Sequence, residues 1–181
     1  AAVTVLDRGE GLLPLDEAAQ QPALLYVGKE ATIAPLLTHL PQGIKPSLFA
    51  LPSLPTAEDM AQLADTLSHY RRLLVVVNEQ SLPAYRTFFA QHHPDVPTVW
   101  LAFAQGNSLQ SLQQAVARGG ATILAHNDNE QLQAHVARLL YGQVTADGRL
   151  SAPLDTLFAM GDGVTIDPQT QPHYDLQDYG L

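Results

Sequence analysis

The chain has 181 residues, 46% of them hydrophobic and 15% charged, which is enough apolar material for one domain with a sizeable core and argues against disorder. With 18 Asp and Glu against 9 Lys and Arg the formal charge is -9, the opposite of the clustered cations that a phosphate backbone requires, so nucleic acid is excluded as a partner. No apolar run approaches the roughly 18 residues that cross a bilayer, so membrane insertion is not expected, and the absence of Cys removes disulfides, thiolate metal sites and cysteine nucleophiles. The opening residues, A-A-V-T-V-L, show no start Met, basic segment or cleavage site, so the sequence is expected to be a piece of a longer one.

In chain order, V-T-V-L (3–6) is a short strand-like run, after which D-R-G-E-G turns the chain into L-L-P-L (12–15), an extended arm. Five apolar runs follow: A-L-L-Y-V-G (23–28), S-L-F-A-L (47–51), L-L-V-V-V-N (73–78), T-V-W-L-A-F (98–103) and A-T-I-L-A-H (121–126). They are nearly unbroken rather than alternating, the pattern of strands covered on both faces.

Helical spacing fills the intervals. Ile33, Leu36, Leu37 and Leu40 make one stripe of a helix over 30–40, and T-A-E-D opens a second over 56–70 with a capping-box spelling. Pro83 falls in the first turn of a third helix, 81–91, where its missing N–H costs little. Helices over 107–118 and 129–141 end at Gly119-Gly120 and Gly142, residues that favour a left-handed C-cap. Beyond Leu150, Pro153, Gly161, Gly163, Pro168 and Pro172 exclude a helix and leave an edge strand at 163–166. This alternation predicts a three-layer α/β/α sandwich of flavodoxin-like type, with a mostly parallel sheet of five to six strands. The single domain is expected over 1–160, with 1–20 as an N-terminal arm and 161–181 as an irregular strap or linker.

Open α/β sheets place their sites in the loops after the strands. Neither G-x-G-x-x-G nor G-x-x-x-x-G-K-[ST] occurs there, so no nucleotide or flavin cofactor is expected. Glu79, just after an apolar strand, is the candidate catalytic group, since burial against a pocket wall would raise its proton affinity. The plainer alternative, an exposed Glu whose charge suits the start of a helix, is the stronger of the two. Gln105, Asn107, Asn127 and Asp128 are the candidate ligand-binding residues of the neighbouring loops. His126 and Asp128 could pair, although H-N-D-N reads more naturally as a turn capping the next helix. His92-His93 lacks a third ligand at suitable spacing, so no metal is expected. No G-x-S-x-G or S-x-x-K supports serine chemistry, and Trp100 and Phe103 read as core.

From Thr98 to Leu150 the residues resemble the C-terminal α/β domain of family 3 glycoside hydrolases, particularly the bacterial β-N-acetylglucosaminidase-like branch. The stretches are F-A-Q-G-N-S (103–108), I-L-A-H with N-D-N (123–129), A-R-L-L-Y-G (137–142) and G-R-L-S (148–151), with V-T-V-L-D-R-G-E-G-L-L-P-L (3–15) similar to the family's entry into that domain. Ser108, His126 and Ser151-Ala152 depart from the family spelling. In that family the nucleophilic Asp lies on a preceding (β/α)8 barrel, and the K-H-F-P-G-H-G type of barrel motif is absent here. The resemblance therefore implies a non-catalytic accessory module whose partner is the barrel of the same parent chain, with carbohydrate as the parent's ligand class. Its β-glucosidase branch takes the acid/base Glu from this domain, which keeps Glu79 a candidate. The tail P-H-Y-D-L-Q-D-Y-G-L (172–181) is similar to links that lead into a β-lactamase-like domain, implying a bacterial periplasmic, cell-envelope or secreted parent. The alternative is a stand-alone flavodoxin-like module binding a small ligand or a protein partner.

Overall fold

The computed structural model describes residues 3–7, 12–16, 21–143 and 149–150, with the backbone alone for 7, 149 and 150. The expected edge strand at 163–166 and the strap at 161–181 lie outside the described residues.

The strands are β1 (Val3–Asp7), β2 (Ala23–Val27), β3 (Ser47–Leu51), β4 (Leu73–Asn78), β5 (Thr98–Phe103), β6 (Ala121–Ala125) and β7 (Arg149–Leu150). They form one sheet in the order β3-β2-β4-β5-β6-β1-β7. Within β2 to β6 every pairing is parallel, and their spatial order is that of a flavodoxin-like doubly wound sheet. All five apolar runs are therefore strands. The sheet is mixed at one point: β1 pairs antiparallel with β6, from Val3 opposite Ala125 to Asp7 opposite Ala121.

The V-T-V-L run is an internal strand of this sheet, in keeping with its strand-like spelling, with Val3 and Val5 buried on one face and Leu6 on the other. Arg149–Leu150 pair in parallel with Val5 and Leu6. Each added strand satisfies backbone groups that the preceding edge would leave open.

The helices are α1 (Ala34–Thr38), α2 (Ala57–Leu67), α3 (Leu82–Phe89), α4 (Gln113–Arg118) and α5 (Glu130–Leu140). Tighter 3-10 segments, Glu30–Ile33, Glu79–Ser81 and Gly106–Leu112, lead into α1, α3 and α4. Thr56 caps α2 by accepting from the Asp59 N–H at 3.1 Å, as the T-A-E-D spelling predicts.

Successive residues of the central strands go to opposite faces and are buried on both. Leu25, Val75, Val77, Trp100 and Ala102 join Met60, Leu67, Phe88 and Leu112 in one core layer. Leu24, Leu74, Val76, Val99, Leu101 and Phe103 join Leu36, Val136 and Leu140 in the other, together with Leu12, Leu13 and Leu15. Full burial of one such side chain is worth about 1.5–3 kcal/mol, so the sheet is held mainly from its two faces. The edge strand β3 is the exception, since only Leu51 in it is buried.

The two helix-ending glycines differ. Gly142 takes φ 77°, and α5 closes on a complete pair of terminal bonds, Gln143 N–H to the Arg138 carbonyl (2.8 Å) and Gly142 N–H to the Leu139 carbonyl (3.1 Å). Gly119, expected in the left-handed region, is extended at φ -75°, ψ 159°. Space is what requires glycine there, because a Cβ would stand 2.7 Å from the Trp100 indole. Gly119→Ala is accordingly expected to cost about 1–3 kcal/mol through overpacking, read from urea unfolding. A loss below about 0.5 kcal/mol would show that the indole moves aside freely.

Candidate functional site

The carboxyl ends of the parallel strands carry five loops, and the fork between β2 and β4 is where a doubly wound sheet opens a crevice. Pairing between these strands runs only from Ala23 opposite Leu73 to Leu25 opposite Val75. Each continues further with its outer neighbour, β2 to Val27 and β4 to Asn78. The strands therefore part beyond Leu25 and Val75.

Tyr85 of α3 fills the fork. Its hydroxyl lies 2.7 Å from the Val76 carbonyl and 3.2 Å from the Leu25 carbonyl, so one proton is shared between two strands that no longer bond each other. The ring is fully buried, and burial pushes the phenol well above its ordinary range, so it stays a neutral donor. The residue's stripe position in 81–91 marks it as buried, and a buried phenol needs an acceptor, but only the fold shows which one.

Above the fork, polar side chains bind loop backbone. Asn78 and Ser81 form a reciprocal cap: Asn78 Oδ1 accepts from the Ser81 N–H (2.9 Å) and Ser81 Oγ accepts from the Asn78 N–H (2.9 Å). Glu79 is exposed, and its Oε2 accepts both the Gln105 N–H and the Ser108 hydroxyl, each at 3.0 Å. The carboxylate thus caps the 3-10 segment that follows β5, from across the gap between two loops. The expectation of an exposed Glu at a helix start describes its surroundings, with the helix it serves being a neighbour's as well as its own.

Gln105 sits beside it, half-buried, and its side-chain Oε1 is buried without a hydrogen-bond partner. Asn107 is exposed on the same loop. Asn127 Oδ1 accepts from the Asn129 N–H (3.0 Å), and Asn129 Oδ1 accepts from the Leu132 N–H (2.8 Å), so N-D-N is a turn that caps α5. The Asp128 side chain is exposed, and among the described residues no hydrogen bond joins it to His126. Glu79, Gln105 and Ser108 are brought together, whereas Asn127 and Asp128 belong to a separate turn.

Gln133 has no role in the sequence reading and a central one in the structure. Buried on α5, it accepts from the Leu36 N–H (3.2 Å) and donates to the carbonyls of Thr32 (3.0 Å) and Asp128 (2.9 Å). It ties the first crossover to the last. A signal existed, because Gln133 interrupts the apolar stripe of Val136, Ala137 and Leu140 at helical spacing. Gln133→Leu leaves three backbone groups without their partner, and a loss of about 3 kcal/mol is expected on urea unfolding.

His126, at the end of the β6 run, is half-buried, and burial holds its pKa below the ordinary value. The unfolded chain therefore takes up this proton first as pH falls. Stability present at neutral pH is lost on descending through about 6.5 until the folded form also protonates. His126→Gln is expected to flatten the fall of the urea midpoint between about pH 7.5 and about pH 5.5, and an unchanged slope would remove His126 from that dependence.

Three surface clefts, of about 390, 370 and 350 Å³, are lined by other residues than these candidates. Among the described residues no group of three or more His, Asp or Glu converges as a metal site. The arrangement defines a flavodoxin-like α/β sandwich whose loop side chains are largely engaged in holding loop backbone.

Comparison with solved structures locates this fold. A glycoside hydrolase family 3 β-N-acetylglucosaminidase from Paenibacillus sp. str. FPU-7 matches with a TM-score of 0.58 at 20% identity, over 84% of this chain and 30% of that one. A fungal multi-domain family 3 β-N-acetylglucosaminidase, described as having a GCN5-related glucosamine N-acetyltransferase region, matches with a TM-score of 0.57 at 14% identity, over 82% of this chain and 17% of that one. The chain thus has the fold of a partial domain of these larger proteins and spans less than a third of their length. No protein-family model matches it, and no curated protein sequence does.

Proposed function

We propose that the chain is a non-catalytic accessory module of a family 3 glycoside hydrolase-like protein, packing against a (β/α)8 barrel of the same parent chain. The observation that carries this is the coverage: 84% and 82% of the chain match, yet this accounts for less than a third of each β-N-acetylglucosaminidase. Retaining glycosidases need two groups flanking the scissile bond. Glu79 is the candidate carboxyl group for such work, and its hydrogen bonds to Gln105 and Ser108 hold a loop. The parent's substrates would be β-linked N-acetylglucosamine or glucose residues, and its setting a bacterial cell envelope.

The test is to incubate the isolated chain with chromogenic N-acetylglucosaminide and glucoside. No turnover above the buffer rate is expected. Turnover that disappears in Glu79→Gln would overturn the assignment and make Glu79 the acid/base. A second possibility, a binding module for a small ligand, draws support from the unpartnered Gln105 oxygen beside Glu79. A buried acceptor without a donor is uncommon in native proteins, and a ligand hydroxyl or amide would complete it.

A further inference from the structure

One side of the sheet ends at β3, which pairs with β2 and, among the described residues, with no other strand. The Ser47 N–H donates to the Pro22 carbonyl (2.9 Å) and the Gly28 N–H to the Leu51 carbonyl (3.1 Å), which fixes the phase of the strand. Ser47, Phe49 and Leu51 turn their backbone groups toward β2, so Leu48 and Ala50 between them turn theirs to the open side. Native edges are usually blunted by a charge, a bulge or a proline within the strand. β3 reads S-L-F-A-L, pairs in unbroken register and has none of these, while Pro46 and Pro52 stand outside it and limit its length without closing its middle.

Beside this edge lies the cleft of about 350 Å³, lined by Ala50 and Pro52 and by Asp59, Gln62, Leu63 and Thr66, which share one face of α2. Its walls are open to solvent, since Ala50, Pro52, Asp59 and Gln62 are exposed and Leu63 is half-buried. The helix wall is acidic: α2 carries Glu58, Asp59 and Asp65 and no basic residue. Among the described residues the Asp59 carboxylate has no hydrogen-bond or ion-pair partner. Two-fold pairing of β3 with a second copy would bring two such helices together, whereas a basic side chain complements one of them.

We propose that this edge binds a short extended peptide segment carrying one basic residue, added as an outermost strand beside β3 with its basic side chain at Asp59. The backbone of Leu48 and Ala50 supplies the pairing, and the cleft supplies the selectivity. Side chains of the added strand alternate as those of β3 do, where Phe49 packs with the core layer of α2 and Leu48 with that of α1. The basic residue therefore belongs at a position facing α2. The proposal does not rest on the accessory-module reading, and neither test bears on the other.

The full 181-residue chain, isotope-labelled, is titrated with the peptide acetyl-T-V-K-V-T-amide and in parallel with acetyl-T-V-E-V-T-amide, while the backbone amide resonances are followed. The Lys peptide is expected to shift the Leu48 and Ala50 amides saturably with roughly millimolar affinity, as suits so short a pairing. The Glu peptide is expected to bind at least about threefold more weakly, a difference that narrows in Asp59→Asn. Ala50→Pro removes an outward donor alone, so it is expected to weaken the Lys peptide about tenfold with an unchanged urea midpoint. Each of four results would overturn the proposal: no saturable shift at these two amides, equal binding of the two peptides, a difference unaltered in Asp59→Asn, or Ala50→Pro binding as the parent chain does. Shifts of the same amides that follow chain concentration without peptide would place a second copy on the edge and overturn it as well. Should Ala50→Pro fail to fold, the two peptides on the unaltered chain decide.

Discussion

Trp100, in the middle of β5, is buried on one face of the sheet while Val99 and Leu101 on either side are buried on the other, and the same alternation runs through β2 and β4. A parallel strand in this position has no solvent face, so its residues are mostly apolar and both faces must be roofed by helices. The roof is divided accordingly, with α1 and α5 over one face and α2, α3 and α4 over the other. Right-handed crossovers between parallel strands allow that division. Polar side chains are thereby driven out of the sheet to its two ends.

At the carboxyl ends they serve the backbone. A doubly wound sheet parts where its strand order reverses, and parting leaves carbonyls that lose their neighbours. The Tyr85 hydroxyl meets two of them, Leu25 and Val76, in the place where related architectures admit a ligand. Asn78, Ser81, Glu79, Asn127 and Asn129 then fix the loops above, each by accepting from backbone N–H groups. A carboxylate engaged by two donors of a neighbouring loop is well placed as an anchor. The result is a stiff scaffold, consistent with a part that recurs inside much larger chains.

Among the described residues five buried side-chain polar atoms lack a partner, on Thr4, Arg72, Trp100, Gln105 and Arg138; Gln105 Oε1 is an acceptor above the sheet and Trp100 Nε1 a donor below it. Buried groups of this kind are rare because each forfeits its hydration. Gly119 shows how tightly the lower end is built, since even a methyl group there would strike the indole.

Much of this was legible in the residues. The unbroken apolar runs specified the parallel strands, because two-sided burial leaves no room for polar alternation, and T-A-E-D, Pro83 and Gly142 marked helix ends through local backbone chemistry that needs no distant partner. The positions of the loops were legible for the same reason, as they simply follow the strands. Contacts between residues far apart in the chain were decided by tertiary structure. The bonds of Gln133 to Thr32 and Leu36, of Tyr85 to Leu25, and of Glu79 to Gln105 and Ser108 depend on which crossovers lie side by side, and no spacing encodes that. Gly119 makes the distinction in one residue. The sequence by itself determined that a glycine ends α4, but only the packing of β5 beneath it decided that the requirement is room for Trp100 rather than a left-handed turn, because volume in a close-packed interior is set by neighbours in space.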